Sequence, residues 1–230
     1  TSSLPKQLED SAERGRIADE LIDALVEIHA VDWAKAGLEG FGKPTGYLER
    51  QLRRFSGLWE HNRTRELPEV DQLGRWLSEN MPQSPPSTIV HGDYRLGNAM
   101  FSPSGPARLI AVLDWEMATS GDPLADLGYL MTHWLEHGED TERFTLHTVT
   151  SLSGFPSRAE LISRYEDRSG RSVPDLKWYV TLALWKAAVF MEGNYKRALA
   201  GSTDDPYLKE FGAGVVEISK RALRVSQHGV

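Results

Sequence analysis

In residues 89–100, IVHGDYRLGNAM, the acid Asp93 and the amide Asn98 stand five positions apart, just after a β-branched pair. A second acid, Asp114, ends the next apolar run, RLIAVLDWE at 108–116. If residues 99–101 and 108–113 are two arms of a hairpin turning near 103–106, the start of one arm lies beside the end of the other. Asn98 and Asp114 are then expected to face each other across the ladder. Two hard oxygen ligands on adjacent strands suit Mg²⁺, with water and phosphate oxygens completing its octahedron. Asp93, one loop away, is placed to accept a proton or orient a hydroxyl. An acid on the nucleophile, with an amide and an acid on a metal, is the set that phosphoryl transfer uses, because that reaction is catalysed by positioning and charge neutralisation. Arg95, two positions after the acid, can offset charge on the transferred phosphoryl oxygens.

The elements that must hold these residues are mostly helical. Ile17, Leu21, Leu25 and Ile28 share one helical face, opposite Asp19, Asp23 and Glu27. After a glycine-rich break, Thr45 is expected to cap a second helix with Leu48, Leu52, Phe55 and Trp59 inward. A third helix follows Pro68 with Val70, Leu73 and Leu77 inward. The period then shortens: residues 88–90 and 98–101 read as short strands, and 108–115 as a longer, largely buried one. After residues 118–123, ATSGDP, the chain is expected to return to helix, with Asp122 as the cap and Pro123 at the first position. Ser157, Glu160 and Gly170 frame another helix through a capping box and a glycine stop. Residues 175–200 are apolar nearly all round, which predicts a central buried helix, with Trp134, Trp178, Trp185 and Tyr195 as core aromatics. A last helix is expected near 206–224. The predicted class is α+β and mostly helical, one domain over 1–230. Its parts are a helical segment at 1–85, a catalytic loop and metal-binding hairpin at 86–120, and a helical substrate-side subdomain at 121–230.

Composition narrows the partners. The formal net charge of −7 argues against nucleic acid or an anionic membrane as the main partner, since both select basic faces. The absence of cysteine removes disulfides and thiolate zinc sites. The start of the chain is polar, with no apolar core of a signal peptide, and a cytoplasmic location is expected.

Taken together, VHGDYRLGNAMF, LIAVLDWE and GDPLADLGY resemble the aminoglycoside phosphotransferase (APH) family of kinase-like enzymes. IHAVDW, GYLERQL and LWKAAVFMEGNYKR are similar to the subgroup that occurs with acyl-CoA dehydrogenases, often fused to them. The resemblance implies the C-terminal, catalytic lobe of a protein-kinase-like fold. It implies ATP as phosphoryl donor, Mg²⁺ as cofactor, and a small-molecule hydroxyl as acceptor, with a hydroxyacyl-CoA or related metabolite suggested by the subgroup. By the same resemblance Asp93 is the catalytic acid/base, and Asn98 and Asp114 hold metal and nucleotide. Asp126 holds the backbone of the catalytic loop, and His91 packs beneath the metal-binding segment.

Three departures from protein kinases matter. Gly92 stands where they carry an Arg that reads a phosphorylated activation loop. The link from Asp114 to Gly121 is too short to contain such a loop, so a constitutive small-molecule kinase is expected. Nothing before Thr88 reads as a sheet, so the N-terminal β lobe is expected to be missing and this chain alone to bind nucleotide weakly and lack activity. A kinase-like module that binds without catalysing is the alternative. A metal-dependent hydrolase using His91 and Asp93 is a third reading, which no second His-rich cluster supports. Glu116 fits either a water-mediated metal contact or the surface, and Asp93 and Asn98 taken alone also fit turn formers. Residues 37–44, GLEGFGKP, nearly match a P-loop, but Pro44 replaces the metal-binding hydroxyl and a helix precedes them where a strand is needed.

Overall fold

Helix, hairpin and helix follow one another along the chain because the apolar period lengthens, shortens and lengthens again. The computed structural model describes residues 4, 6, 9–139, 149–202 and 205–229; the polar start read above lies partly outside them. The chain divides into two compact units that interleave in sequence, one of residues 1–45 and 85–174, the other of residues 46–84 and 175–230.

The first unit opens with α1 (Ser11–Ala30), capped by Asp10, whose side chain accepts the Ala12 N–H at 2.8 Å. Its buried face is Ile17, Ala18, Leu21, Ile22, Leu25 and His29, while Ile28 is only half-buried. Strands β1 (Thr88–Val90) and β4 (Thr119–Gly121) pair antiparallel, Ile89 opposite Ser120. Part of the stretch read only as leading into the next helix is therefore a strand. Thr-Ser-Gly has no apolar alternation to announce it; the unpaired backbone of β1 makes it one.

Strands β2 (Ala99–Phe101) and β3 (Leu109–Val112) form the expected hairpin, with an irregularity after Met100. β3 is shorter than predicted and not buried: Ile110 is 57% exposed. A two-stranded ribbon has a face with nothing packed on it, and a bulge twists it further. Two glutamates of α1 hold this ribbon. Glu13 accepts the Ala107 N–H at 2.5 Å and Glu20 the Leu109 N–H at 2.9 Å, which satisfies edge amides that would otherwise stay open.

Helix α4 (Leu124–Thr132) starts one residue later than expected. Pro123 precedes it, and Asp122 still accepts the Leu124 N–H at 3.0 Å. Helix α5 (Arg158–Ser169) carries the full Ser157–Glu160 capping box and ends on Gly170 in the left-handed region. Arg164 of α5 forks onto Asp23 of α1 at 2.8 and 2.9 Å.

The second unit contains α2 (Tyr47–Asn62), α3 (Pro68–Glu79), α6 (Leu176–Leu199) and α7 (Pro206–His228). The cap of α2 is Gly46 rather than Thr45: the chain turns through φ +65° there, which favours glycine. Helix α6 is buried all round from Trp178 to Trp185, as its composition predicts, whereas Phe190 and Leu199 in its second half are exposed; Trp178 and Trp185 donate their indole N–H groups to the Leu77 and Val70 carbonyls of α3. These donors let large aromatics be buried without an orphaned polar atom. Trp134, in the first unit, is buried too, whereas Tyr195 is half-buried under the Arg65 guanidinium. Among the described residues no helix is long and apolar enough to cross a membrane.

Candidate active site

The segment from His91 to Asn98 leaves β1 and enters β2, so its two ends are fixed by separate ladders. Between them the chain turns at Gly92, with φ +85°. A Cβ on Gly92 would lie 2.8 Å from the Met117 carbonyl oxygen and 2.9 Å from the Met117 Cβ. The position thus excludes a side chain both by conformation and by space, which is why no arginine can stand here.

Asp126 anchors this turn from α4. Its carboxylate is 1% exposed and accepts the His91 N–H at 2.6 Å on one oxygen and the Gly92 N–H at 2.8 Å on the other. His29 of α1 adds a third contact, Nε2 to the same carboxylate at 3.4 Å, and its Nδ1 meets the Tyr165 hydroxyl at 2.8 Å. An ionised carboxylate only accepts, so His29 carries its proton on Nε2 and Nδ1 accepts from Tyr165. Burial holds the Tyr165 hydroxyl well above the usual tyrosine value, and it stays a donor.

His91 is wholly buried and joins the loop to the hairpin. The Asp93 N–H donates to His91 Nδ1 at 3.2 Å, so the proton sits on Nε2, which donates to the Leu113 carbonyl at 2.8 Å. The His91 ring also packs 4.8 Å from the Trp115 ring. Tyr94, one residue beyond Asp93, points the other way and donates to the Leu21 carbonyl of α1 at 2.6 Å.

Asp93 itself is partly exposed, with 21% of its side-chain surface open. Asn98 Nδ2 donates to its carboxylate at 2.7 Å and to its carbonyl at 2.9 Å. Arg95 Nε lies 3.2 and 3.4 Å from its two oxygens, and the Tyr129 hydroxyl of α4 is a further donor. Burial pushes the carboxyl upward, but the bonds from Tyr129 and Asn98 and the Arg95 charge outweigh it and hold it below the usual aspartate range.

The hairpin corrects one expectation. Asn98 faces Leu113, not Asp114: the Leu113 N–H donates to the Asn98 carbonyl at 2.7 Å. Asp114 lies one residue past the ladder, because the irregularity between Met100 and Phe101 and the end of β3 set the register. Its backbone is left-handed, φ +65°, a conformation that aspartate tolerates better than most residues. Its side chain is exposed, and among the described residues no hydrogen bond or ion pair engages its carboxylate. Asn98 uses its amide nitrogen on Asp93, which leaves its oxygen for another partner. Among the described residues no three His, Cys, Asp or Glu side chains gather as a metal cage. Two hard oxygens at adjacent points fit Mg²⁺ held partly by phosphate and water rather than by protein alone.

His91, Asp93, Arg95, Asn98 and Asp126 are thus joined in one bonded cluster, with Asp114 beside it at the end of β3. His29, Tyr129 and Tyr165 are additions that sequence reading missed. Tyr129 had a legible signal, since it stands three positions after Asp126 on a predicted helix. His29 and Tyr165 carried no such signal.

The sequence profile described as the phosphotransferase enzyme family (APH) matches residues 2–161. Acyl-CoA dehydrogenase family member 11 of Gallus gallus is 32% identical over 212 residues, covering 90% of this chain but 27% of that protein. The chain therefore spans under a third of such curated relatives. The crystal structure of a candidate aminoglycoside phosphotransferase from Ralstonia eutropha JMP134 superposes with a TM-score of 0.87 at 31% identity, covering 97% of this chain and 68% of that one. A spectinomycin phosphotransferase solved with ADP and spectinomycin shares the fold alone, with a TM-score of 0.52 at 14% identity, covering 97% of this chain and 70% of that one.

Proposed function

The chain belongs to the phosphotransferase enzyme family, and from that premise we propose that it carries the acceptor-side machinery of an ATP-dependent kinase acting on a small-molecule hydroxyl. The family supports phosphoryl transfer to a small molecule as the general activity. The observation that carries the finer reading is Asp93: a part-exposed carboxylate kept ionised by three donors, beside two uncommitted hard-oxygen ligands.

In this reading Asp93 orients the acceptor hydroxyl and takes its proton as the oxygen becomes a nucleophile. A carboxylate whose pKa is lowered is a weak base, so its main contribution is alignment. Proton acceptance matters late, when the attacking oxygen has become acidic. Arg95, now on Asp93, can swing its fork toward phosphoryl oxygens and offset their charge. Asn98 and Asp114 would hold Mg²⁺, which would neutralise and orient the nucleotide phosphates. Asp126 and His91 keep the loop and the end of β3 in register. The side-chain-free turn at Gly92 and the short path from Asp114 to Gly121 favour a constitutive enzyme over one switched by phosphorylation. The relatives' association with acyl-CoA dehydrogenases supports a hydroxyacyl-CoA or a related hydroxylated acid as acceptor.

The test is transfer of labelled γ-phosphate from ATP with Mg²⁺, using the full-length protein and a panel of hydroxyacyl-CoAs, hydroxy acids, aminoglycosides and peptides. Label should enter a hydroxylated small molecule, and Asp93→Asn should lower kcat by ~10²–10⁴ with the fold intact. Efficient peptide labelling, or an unchanged kcat in Asp93→Asn, would refute the proposal.

A further inference from the structure

Charge is spread unevenly along this chain. It carries 33 acids against 26 lysines and arginines, yet residues 50–59 of α2, RQLRRFSGLW, hold three arginines and no acid, and residues 177–191 of α6 hold no acid either. At 3.6 residues per turn, Arg50, Arg53 and Arg54 fall within about 100° of one another on α2. Arg53 and Arg54 are exposed, and among the described residues no carboxylate pairs with either. Helix α6 brings a further cation to the same place: the Arg54 guanidinium lies 5.8 Å and the Lys186 ammonium 4.8 Å from the centre of the Phe55 ring. An aromatic face attracts each cation but neutralises neither, and like charges on neighbouring turns repel. An anion seated among them would relieve that repulsion.

One turn further on, the character of this face changes. Phe55 stands beside Lys186, and Asn62 stands beside Gly193, so the two helices advance together and run in the same direction. Leu58 and Phe190 each follow a cation by four positions, which places both one turn along the same face. Leu58 is 36% exposed and Phe190 68%. Between the arginines and Leu58 the helix surface is bare at Gly57, where a Cβ would meet nothing within 4 Å. Glycine inside a helix costs stability relative to alanine, and no close contact requires it here.

Resting on the hydroxyacyl-CoA reading above for the identity of the ligand, we propose that this face of α2 and α6 is a site for the phosphorylated adenosine end of a coenzyme A thioester. Arg50, Arg53, Arg54 and Lys186 hold phosphate, the guanidinium forks supplying paired donors. The adenine stacks on the exposed Phe190 ring, about 6 Å further along the helix axis, with room over Gly57 for the sugar. ATP shares this chemistry, but it arrives with Mg²⁺ on its phosphates, and neither helical stretch offers a carboxylate to the metal. A cluster of cations suits a phosphate that carries no metal.

Titration calorimetry of the full-length protein with adenosine 3′,5′-bisphosphate, in the absence of Mg²⁺, reads the site without turnover. Binding should be present at low salt and weaken as salt rises. Arg54→Gln should weaken it about tenfold, the size of one bond to a charged group. Phe190→Ala should also weaken it about tenfold, the size of one base stack. Both side chains are exposed, so the melting temperature should stay within about 2 °C of wild type. Adenosine and inorganic phosphate should each bind far more weakly than the bisphosphate. No binding by wild type, equal binding by Arg54→Gln and Phe190→Ala, inorganic phosphate binding as tightly, or binding that Asp114→Ala abolishes would each overturn the proposal; the last would put the ligand in the nucleotide site instead. If the bisphosphate binds as expected while no hydroxyacyl-CoA takes label from ATP, the phosphotransfer reading falls and this site stands. If a hydroxyacyl-CoA takes label while the bisphosphate fails to bind, this site falls and that reading stands.

Discussion

Asp126→Asn should be among the costliest single-atom changes in this protein. The carboxylate is 1% exposed and faces two backbone donors, His91 N–H at 2.6 Å and Gly92 N–H at 2.8 Å, one on each oxygen. An amide has one accepting oxygen. Whichever way it turns, its NH₂ meets one of those donors head-on. One charge-assisted bond, worth ~1.5–3 kcal/mol, is lost outright, and a buried N–H left open adds ~1–3 kcal/mol. The surviving bond drops from charged to neutral, about half its strength. The sum is about 3–7 kcal/mol, a large part of a typical total of ~5–15 kcal/mol. Urea unfolding followed by circular dichroism reads it directly. With a slope of ~1–3 kcal/mol/M the midpoint should fall by about 2 M. His29→Ala should cost less, because its contact is longer at 3.4 Å, and its effect should shrink in the Asp126→Asn background. A loss below about 1 kcal/mol for Asp126→Asn would show that the loop amides do not depend on this carboxylate.

Three further outcomes follow from the same geometry. Asp93 titrates below the ordinary aspartate value of 3.8, so its contribution to stability is fully present above that value and is lost as pH falls through the lower, folded one; the stability gap between wild type and Asp93→Asn should be flat near neutrality and close only in strong acid, and a gap that closes near pH 6 would contradict it. Gly92→Ala should destabilise by about 2–4 kcal/mol in thermal melts, since left-handed strain adds to contact with Met117. Gly170→Ala, with φ +67° but open space around its Cβ, should cost only about 1 kcal/mol, and equal costs would refute the steric argument. Asp114→Ala should abolish Mg²⁺-dependent nucleotide binding by the intact protein in titration calorimetry, while the melting temperature falls by no more than about 4 °C, the cost of an alanine at φ +65°, because the exposed carboxylate supports no fold contact.

The helices were largely legible because their signals are local. The Ser157–Glu160 box, the Pro68 start and the all-round apolar run of α6 each lie within a few turns of chain, and propensity and burial agree there. Strand β4 was not legible: a Thr-Ser-Gly strand exists only because β1 needs a partner. The register placing Asn98 opposite Leu113 was missed for a related reason, since an irregularity in a short ribbon leaves no mark on the pattern of side-chain types.

The candidate site divides in the same way. Residue types and spacings by themselves singled out the groups proposed to carry the chemistry: an acid, an amide five positions on, and a second acid at the end of an apolar run. They also determined the helical class and the family resemblance. Tertiary structure alone decided how Asp93 is held and aimed. Tyr129 reaches it from a helix more than thirty positions away in the chain, Asp126 holds its loop, and His29 and Tyr165, from two other helices, steady Asp126. The physical reason is that hydrogen bonds between distant segments depend on distance and direction, and those are set only when the helices pack.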